Sequence, residues 1–105
     1  MNDPVFVEAS RQLASRVLRD VPTFDARLDA VSLRLLGRTF AKPERAVLKR
    51  TLDDALATYQ RNPDAAAKLL AVGESPVDPK LPAPELAAWT IVSSQVMNLD
   101  ESLTR

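Results

Sequence analysis

The chain has 105 residues, 46% of them apolar and 27% charged, which fits one globular domain and excludes a disordered chain. Fourteen Lys and Arg balance fourteen Asp and Glu, so there is none of the basic excess that carries general binding to nucleic acid or an acidic membrane. Cys and His are both absent, which excludes disulfides, thiolate and imidazole metal sites, thioether-linked haem, Cys nucleophiles and histidine bases.

Apolar residues recur at helical spacing, Leu and Ala abound, and alternating strand patterns are missing. The eight prolines sit mostly at the starts of periodic stretches, while Gly37 and Gly73 each close one. The first helix is predicted from Pro4 to Arg19, capped by Asp3, with a stripe of Val5, Ala9, Leu13 and Val17 widened by Phe6, Ala14 and Leu18. The second runs from Phe24 to Leu36, with Thr23 as cap and Gly37 as the left-handed residue after its end; Phe24, Leu28, Val31 and Leu35 share one face. The third runs from Pro43 to Arg61, with Val47, Leu48, Leu52, Ala55, Leu56 and Tyr59 as its apolar face. A short fourth helix from Pro63 to Val72 starts at an Asn62 cap and stops at Gly73.

Residues 74 to 84 contain four prolines in eleven positions and favour extended backbone over helix. The fifth helix follows from Pro84 to Leu103, where Leu86, Trp89, Val92, Val96, Leu99 and Leu103 step by threes and fours in a clean stripe. Ile91 and Met97 lie off that stripe, which makes this either a buried central helix, the expected case, or a helix with a second contact surface. The expected fold is all-α: a compact bundle of four to five helices in one domain over residues 1–105, with a Pro-rich loop at 73–84 before the last helix. The fifth helix should pack among helices one to three.

Met1-Asn2-Asp3-Pro4 is not the start of a secretory signal, and no apolar run approaches the roughly 20 residues of a membrane span. As written, the chain is expected to be soluble and cytoplasmic.

Four stretches together carry a family likeness. They are Asn2-Asp3-Pro4-Val5-Phe6-Val7-Glu8-Ala9 with Leu13-Ala14-Ser15-Arg16; Leu35-Leu36-Gly37-Arg38 with Pro43-Glu44; Asn62-Pro63-Asp64-Ala65-Ala66-Ala67 running into Leu69-Leu70-Ala71-Val72-Gly73-Glu74; and Glu85-Leu86-Ala87-Ala88-Trp89-Thr90 with Asn98-Leu99-Asp100-Glu101 and Leu103-Thr104-Arg105. In this order they resemble the C-terminal end of domain-of-unknown-function family 1553. That family is typical of large planctomycete proteins, which often also carry a planctomycete-type cytochrome c domain and a domain-of-unknown-function 1549 segment. The resemblance implies the last portion of a larger protein whose longer members look exported and have been associated with polysaccharide breakdown. It implies no haem role here, because no Cys-x-x-Cys-His motif is present. Two departures stand out: Lys42 precedes Pro43 where a hydroxyl cap is usual, so the start of helix three is expected to be weaker, and Ser102 stands where Phe is common.

Candidate chemistry is sparse. Asp25 and Asp29, four apart, would share a helix face and could hold a cation, but their place near a helix start beside Arg27 and Arg34 favours surface charges. Asp53-Asp54 and Asp100-Glu101 are neighbours that point about 100° apart and do not converge; Asp100 is instead a candidate cap or partner of Arg105. Arg34, Arg38, Lys42, Arg45, Lys49 and Arg50 form a basic run, within which Lys42, Arg45 and Lys49 align on one helix face. Arg38 can cover the end of helix two or pair with Glu44. Ser93 and Ser94, without His or a nearby Lys, read as helix serines bonded to backbone, and Trp89 as a core residue more than a sugar platform. Two loose PxxP spacings, Pro76 to Pro79 and Pro79 to Pro82, fit a rigid connection better than a ligand motif.

The reading is a non-catalytic helical module, structural or protein-interacting, with no catalytic, metal or cofactor residues assigned. Its candidate interaction surface is Arg38, Lys42, Arg45, Lys49, Ile91 and Met97, and its partner is an unidentified protein or the remainder of a larger parent. The alternatives are part of a composite carbohydrate-active site in a longer enzyme, and a module that dimerises through Ile91 or Met97. No nucleic-acid or membrane partner is expected.

Overall fold

The computed structural model describes residues 4–73 and 77–104, with side chains as far as Leu99. Asp3, Pro76 and Arg105, and the side chains of Asp100, Glu101, Ser102 and Leu103, lie outside the described residues. Among those described, every element is an α-helix: α1 (Pro4–Asp20), α2 (Phe24–Leu36), α3 (Lys42–Arg61), α4 (Pro63–Leu70) and α5 (Ala83–Thr104). The chain is therefore an all-α bundle.

Local chemistry sets most of the boundaries. Thr23 sits in extended backbone and its hydroxyl accepts from the Ala26 amide at 3.2 Å, opening α2. Gly37, at φ +71°, closes α2 by donating its amide to the Leu33 carbonyl. Asn62 ends α3 and opens α4 in one residue, its side chain accepting from the Ala65 amide at 3.2 Å with Pro63 next. Helix α4 stops at Leu70, two residues sooner than the Gly73 stop suggests. Gly73 lies at φ +95°, and a Cβ there would fall 2.8 Å from Cβ of Glu8, so this close approach to α1 admits only glycine.

Helix α5 packs against all four others. It runs antiparallel to α3: Leu48 lies near Gln95 and Leu99, whereas Leu52 and Leu56 lie near Glu85 and Trp89. It is also antiparallel to α1, where Ser10 meets Met97 and Arg19 meets Asp78 just before α5 begins. The expected single stripe understates its burial. Leu86 through Thr90, Val92 through Ser94, and Val96 are all buried, leaving Gln95, Asn98 and Leu99 as exposed positions in its second half. It is the central helix.

Three residues assigned to inward stripes are instead exposed: Val5 (74%), Val47 (64%) and Leu99 (44%). Steps of four residues drift by roughly 40° each on a helix of 3.6 residues per turn, so the row from Val17 back to Val5 winds about 120° off the core. The buried side of α1 is centred on Ser10, Ala14 and Val17. On α3 it is centred on Leu48 and Leu52, which turns Val47 about 100° outward. Leu99 projects where α5 passes the start of α3.

The buried hydroxyls are handled unequally. Thr90 donates to the Leu86 carbonyl at 2.7 Å, Ser94 to that of Thr90 at 2.9 Å, and Ser10 to that of Phe6 at 2.9 Å with the Met97 sulfur 3.3 Å away. Ser93, expected to bond backbone in the same way, has a fully buried hydroxyl with no partner among the described residues. Leu86→Ala is therefore expected to lower unfolding free energy by about 2–5 kcal/mol. Ser93→Ala should be neutral or stabilising by up to about 1 kcal/mol, because it removes an unsatisfied polar group. Denaturant unfolding of both variants checks this; a Ser93→Ala loss as large as that of Leu86→Ala would contradict it.

Candidate functional site

The basic run lies along the α2–α3 connection and the first half of α3, and much of its charge is used within the fold. The Arg45 guanidinium forks between two carboxylates of α2, reaching Asp29 at 2.6 Å and Asp25 at 2.8 Å. The Asp25–Asp29 pair is thus closed by an arginine, and the same contact ties α3 to α2. Both carboxylates hold the Arg45 pKa above its ordinary value. Lys49 pairs with Asp53 at 2.8 Å, and its ammonium stands 5.3 Å from the Phe24 ring centroid. Phe24 in turn meets Trp89 at 5.8 Å, so α3, α2 and α5 join through three side chains.

Arg38 bridges to Glu44 at 3.3 Å, as its position predicts, and lies 5.5 Å from the Phe40 ring centroid. Glu44 also accepts from the Ala41 amide at 3.0 Å. Ala41 is the N-cap of α3 and has no side-chain oxygen to offer, so Glu44 supplies half of a capping box. The weak start expected from Lys42 is braced in this way. Lys42 itself is exposed at the first position of α3.

Ile91 and Met97 are half-buried, and Met97 faces α1 through Ser10. Trp89 is only 2% exposed and sits in the core. Among the described residues no three acidic side chains gather in a way that could hold a metal ion. No described helix is long and apolar enough to cross a membrane.

Two surface features were not foreseen. The first is a cleft of about 690 Å³ between α1 and the loop before α5, lined by Arg11, Ser15, Arg16, Arg19 and Asp78. Asp78 accepts from Arg19 at 3.1 Å and from the Lys80 amide at 2.9 Å, pinning the Pro-rich loop to α1. Arg11, 2% exposed, is partnered within the fold. The second is an apolar groove of about 370 Å³ between α3 and α5, with Phe40 and Leu48 as its floor and Val47 and Leu99 beside it. Summing exposure along a helical wheel from the true face of α3 would have flagged Val47; nothing local flags its meeting with Leu99.

Comparison of the chain with protein-family models, curated proteins and solved structures returns no match.

Arg45→Ala is expected to lower stability by about 1 kcal/mol, the sum of two partly exposed ion pairs. Arg45→Lys should recover only part of it, since one ammonium cannot fork between Asp25 and Asp29. Urea midpoints at low and high salt check both, and an Arg45→Ala variant as stable as the parent would contradict the clamp. Acid titration gives a second expectation. The hydrogen bonds from Arg38 to Glu44 and from the Lys80 amide to Asp78 hold both carboxyls below their ordinary values of 4.5 and 3.8. Depressed carboxyls stabilise the fold fully above those ordinary values, and the contribution is lost as pH falls through the lowered folded-state values. Glu44→Gln/Asp78→Asn should therefore be less stable than the parent at neutral pH and converge with it in strong acid. Parallel unfolding curves at all pH values would contradict this.

Proposed function

We propose that this chain is a non-catalytic helical module that acts through its outer surface, as a structural or protein-interacting portion of a larger protein. The observation that carries the reading is the use made of the chemically capable groups. Arg45 closes the Asp25–Asp29 pair, Arg38 and Glu44 brace the start of α3, and Trp89 is buried against Phe24. Beside these, two large apolar side chains, Val47 and Leu99, stay outward at the α3–α5 groove. The likeness of the four quoted stretches to the end of domain-of-unknown-function family 1553 agrees with a piece that completes a longer protein, and supplies no activity of its own. A second reading, self-association, is favoured by the same groove.

The rival carbohydrate-active reading needs side chains that meet sugar. Trp89, the one indole in the chain, is too buried to stack on a sugar ring. Thermal unfolding and tryptophan fluorescence in the presence of a panel of neutral and acidic oligosaccharides test this. The module reading predicts no shift in either. A saturable rise in melting temperature that disappears on Arg16→Ala or Arg38→Ala would overturn it.

A further inference from the structure

We infer that the cleft between α1 and the loop before α5 binds a phosphate monoester of a small, non-aromatic molecule, held by Ser15, Arg16 and Arg19. The inference goes beyond the module reading, since a non-catalytic module can carry a ligand site. Ser15 is the residue that points to a ligand. It lines the cleft and is 7% exposed, yet its hydroxyl has no hydrogen-bond partner among the described residues. Buried Ser10, Thr90 and Ser94 all turn theirs back onto backbone carbonyls. Unlike Ser93, which is fully buried, Ser15 borders open space. A nearly buried hydroxyl left unbonded at the wall of a cleft is a donor for what enters the cleft.

Two guanidinium groups accompany it. Arg19 follows Ser15 by four residues and Arg16 by three, spacings that make neighbours on a helix surface. Arg19 donates from Nη1 to Asp78 at 3.1 Å, while its Nε and Nη2 make no hydrogen bond among the described residues. Arg16 is exposed and makes neither a hydrogen bond nor an ion pair among those residues. Asp78 is the one carboxylate in the described lining, and Arg19 and the Lys80 amide already meet its charge. Arg11 lies deeper in the wall, 2% exposed and partnered within the fold, and takes no direct part.

This donor set suits a phosphate monoester more than a carboxylate. The monoester carries nearly two negative charges and three unesterified oxygens, which match two guanidinium groups and one hydroxyl. A carboxylate brings one charge and two oxygens, leaving a donor unfilled. The cleft, about 690 Å³, has room for an organic body beyond the phosphate. No aromatic ring stands in its described lining, so a nucleotide base finds no stacking face, and an aliphatic or polyol body fits instead.

NMR titration of the full chain with glycerol phosphate, read at backbone amides and arginine Nε–H groups, tests the proposal. Saturable shifts should gather at Ser15, Arg16 and Arg19, and glycerol should give none. Acetate should bind about tenfold or more weakly than the ester, and equal binding would overturn the phosphate assignment. The ester should bind at least as tightly as inorganic phosphate; a preference for the free ion would overturn the assignment to an ester. Arg16→Gln should weaken ester binding by about tenfold and Ser15→Ala by about fivefold. Arg50→Gln, exposed on α3 and outside the cleft, should leave it unchanged. Far-UV circular dichroism checks that each variant is folded, and Arg16→Gln, at an exposed position, keeps the test decisive should Ser15→Ala unfold. The absence of saturable shifts at millimolar ester overturns the proposal. So does binding that Arg16→Gln leaves untouched. Neither result bears on the module reading, which the oligosaccharide experiment, run without phosphate, decides separately.

Discussion

A helix that packs against every other helix of its bundle must carry side chains small enough for its neighbours to approach and must leave few polar groups wanting. Helix α5 meets this constraint with alternating bulk: Leu86, Trp89, Val92 and Val96 fill space, while Ala87, Ala88, Ser93 and Ser94 let backbones draw near. Its hydroxyls turn back onto its own carbonyls at Thr90 and Ser94, so burying them does not strand a donor. The other helices depend on this core. Helices α1, α2 and α3 each bury one side only, and α4 is eight residues long, too short to hold helical shape without packing.

The ionic contacts do a different job from the core. Apart from Lys49–Asp53, which lies within α3, each joins segments that apolar burial alone would leave free to slide. Arg45 fixes α3 against α2, Arg38 fixes the turn between them, and Arg19 fixes the Pro-rich loop against α1. These pairs are partly exposed and individually weak. Their effect is on register and loop position more than on total stability. That use of charge also shapes the functional reading. Three of the six cations that make the run look basic in sequence, Arg38, Arg45 and Lys49, are paired with carboxylates in the fold.

Much of the architecture was legible because helix punctuation is local. Thr23, Gly37 and the Asn62-Pro63 pair act through bonds within one turn, so residue type and position suffice to place them. The Arg38–Glu44 bridge was readable for the same reason, being six residues long within one connection. What could not be read depends on the angles between helices. Arg45 reaching Asp25 and Asp29 requires α2 and α3 to lie side by side, and no spacing rule gives that across 16 and 20 residues. The exposure of Val5 and Val47 follows from which turn faces the core, which a stripe of fourth residues smears. The groove is formed by residues some fifty positions apart in sequence, and it exists only because α3 and α5 run antiparallel.

Amide hydrogen exchange in the native state tests the central place of α5 most directly. If the fold is organised around that helix, the amides from Thr90 to Val96 should be the slowest in the chain, exchanging only through global unfolding, with α2 and α4 opening at lower free energy. Exchange of those α5 amides as fast as the amides of α2, through local opening, would contradict the account.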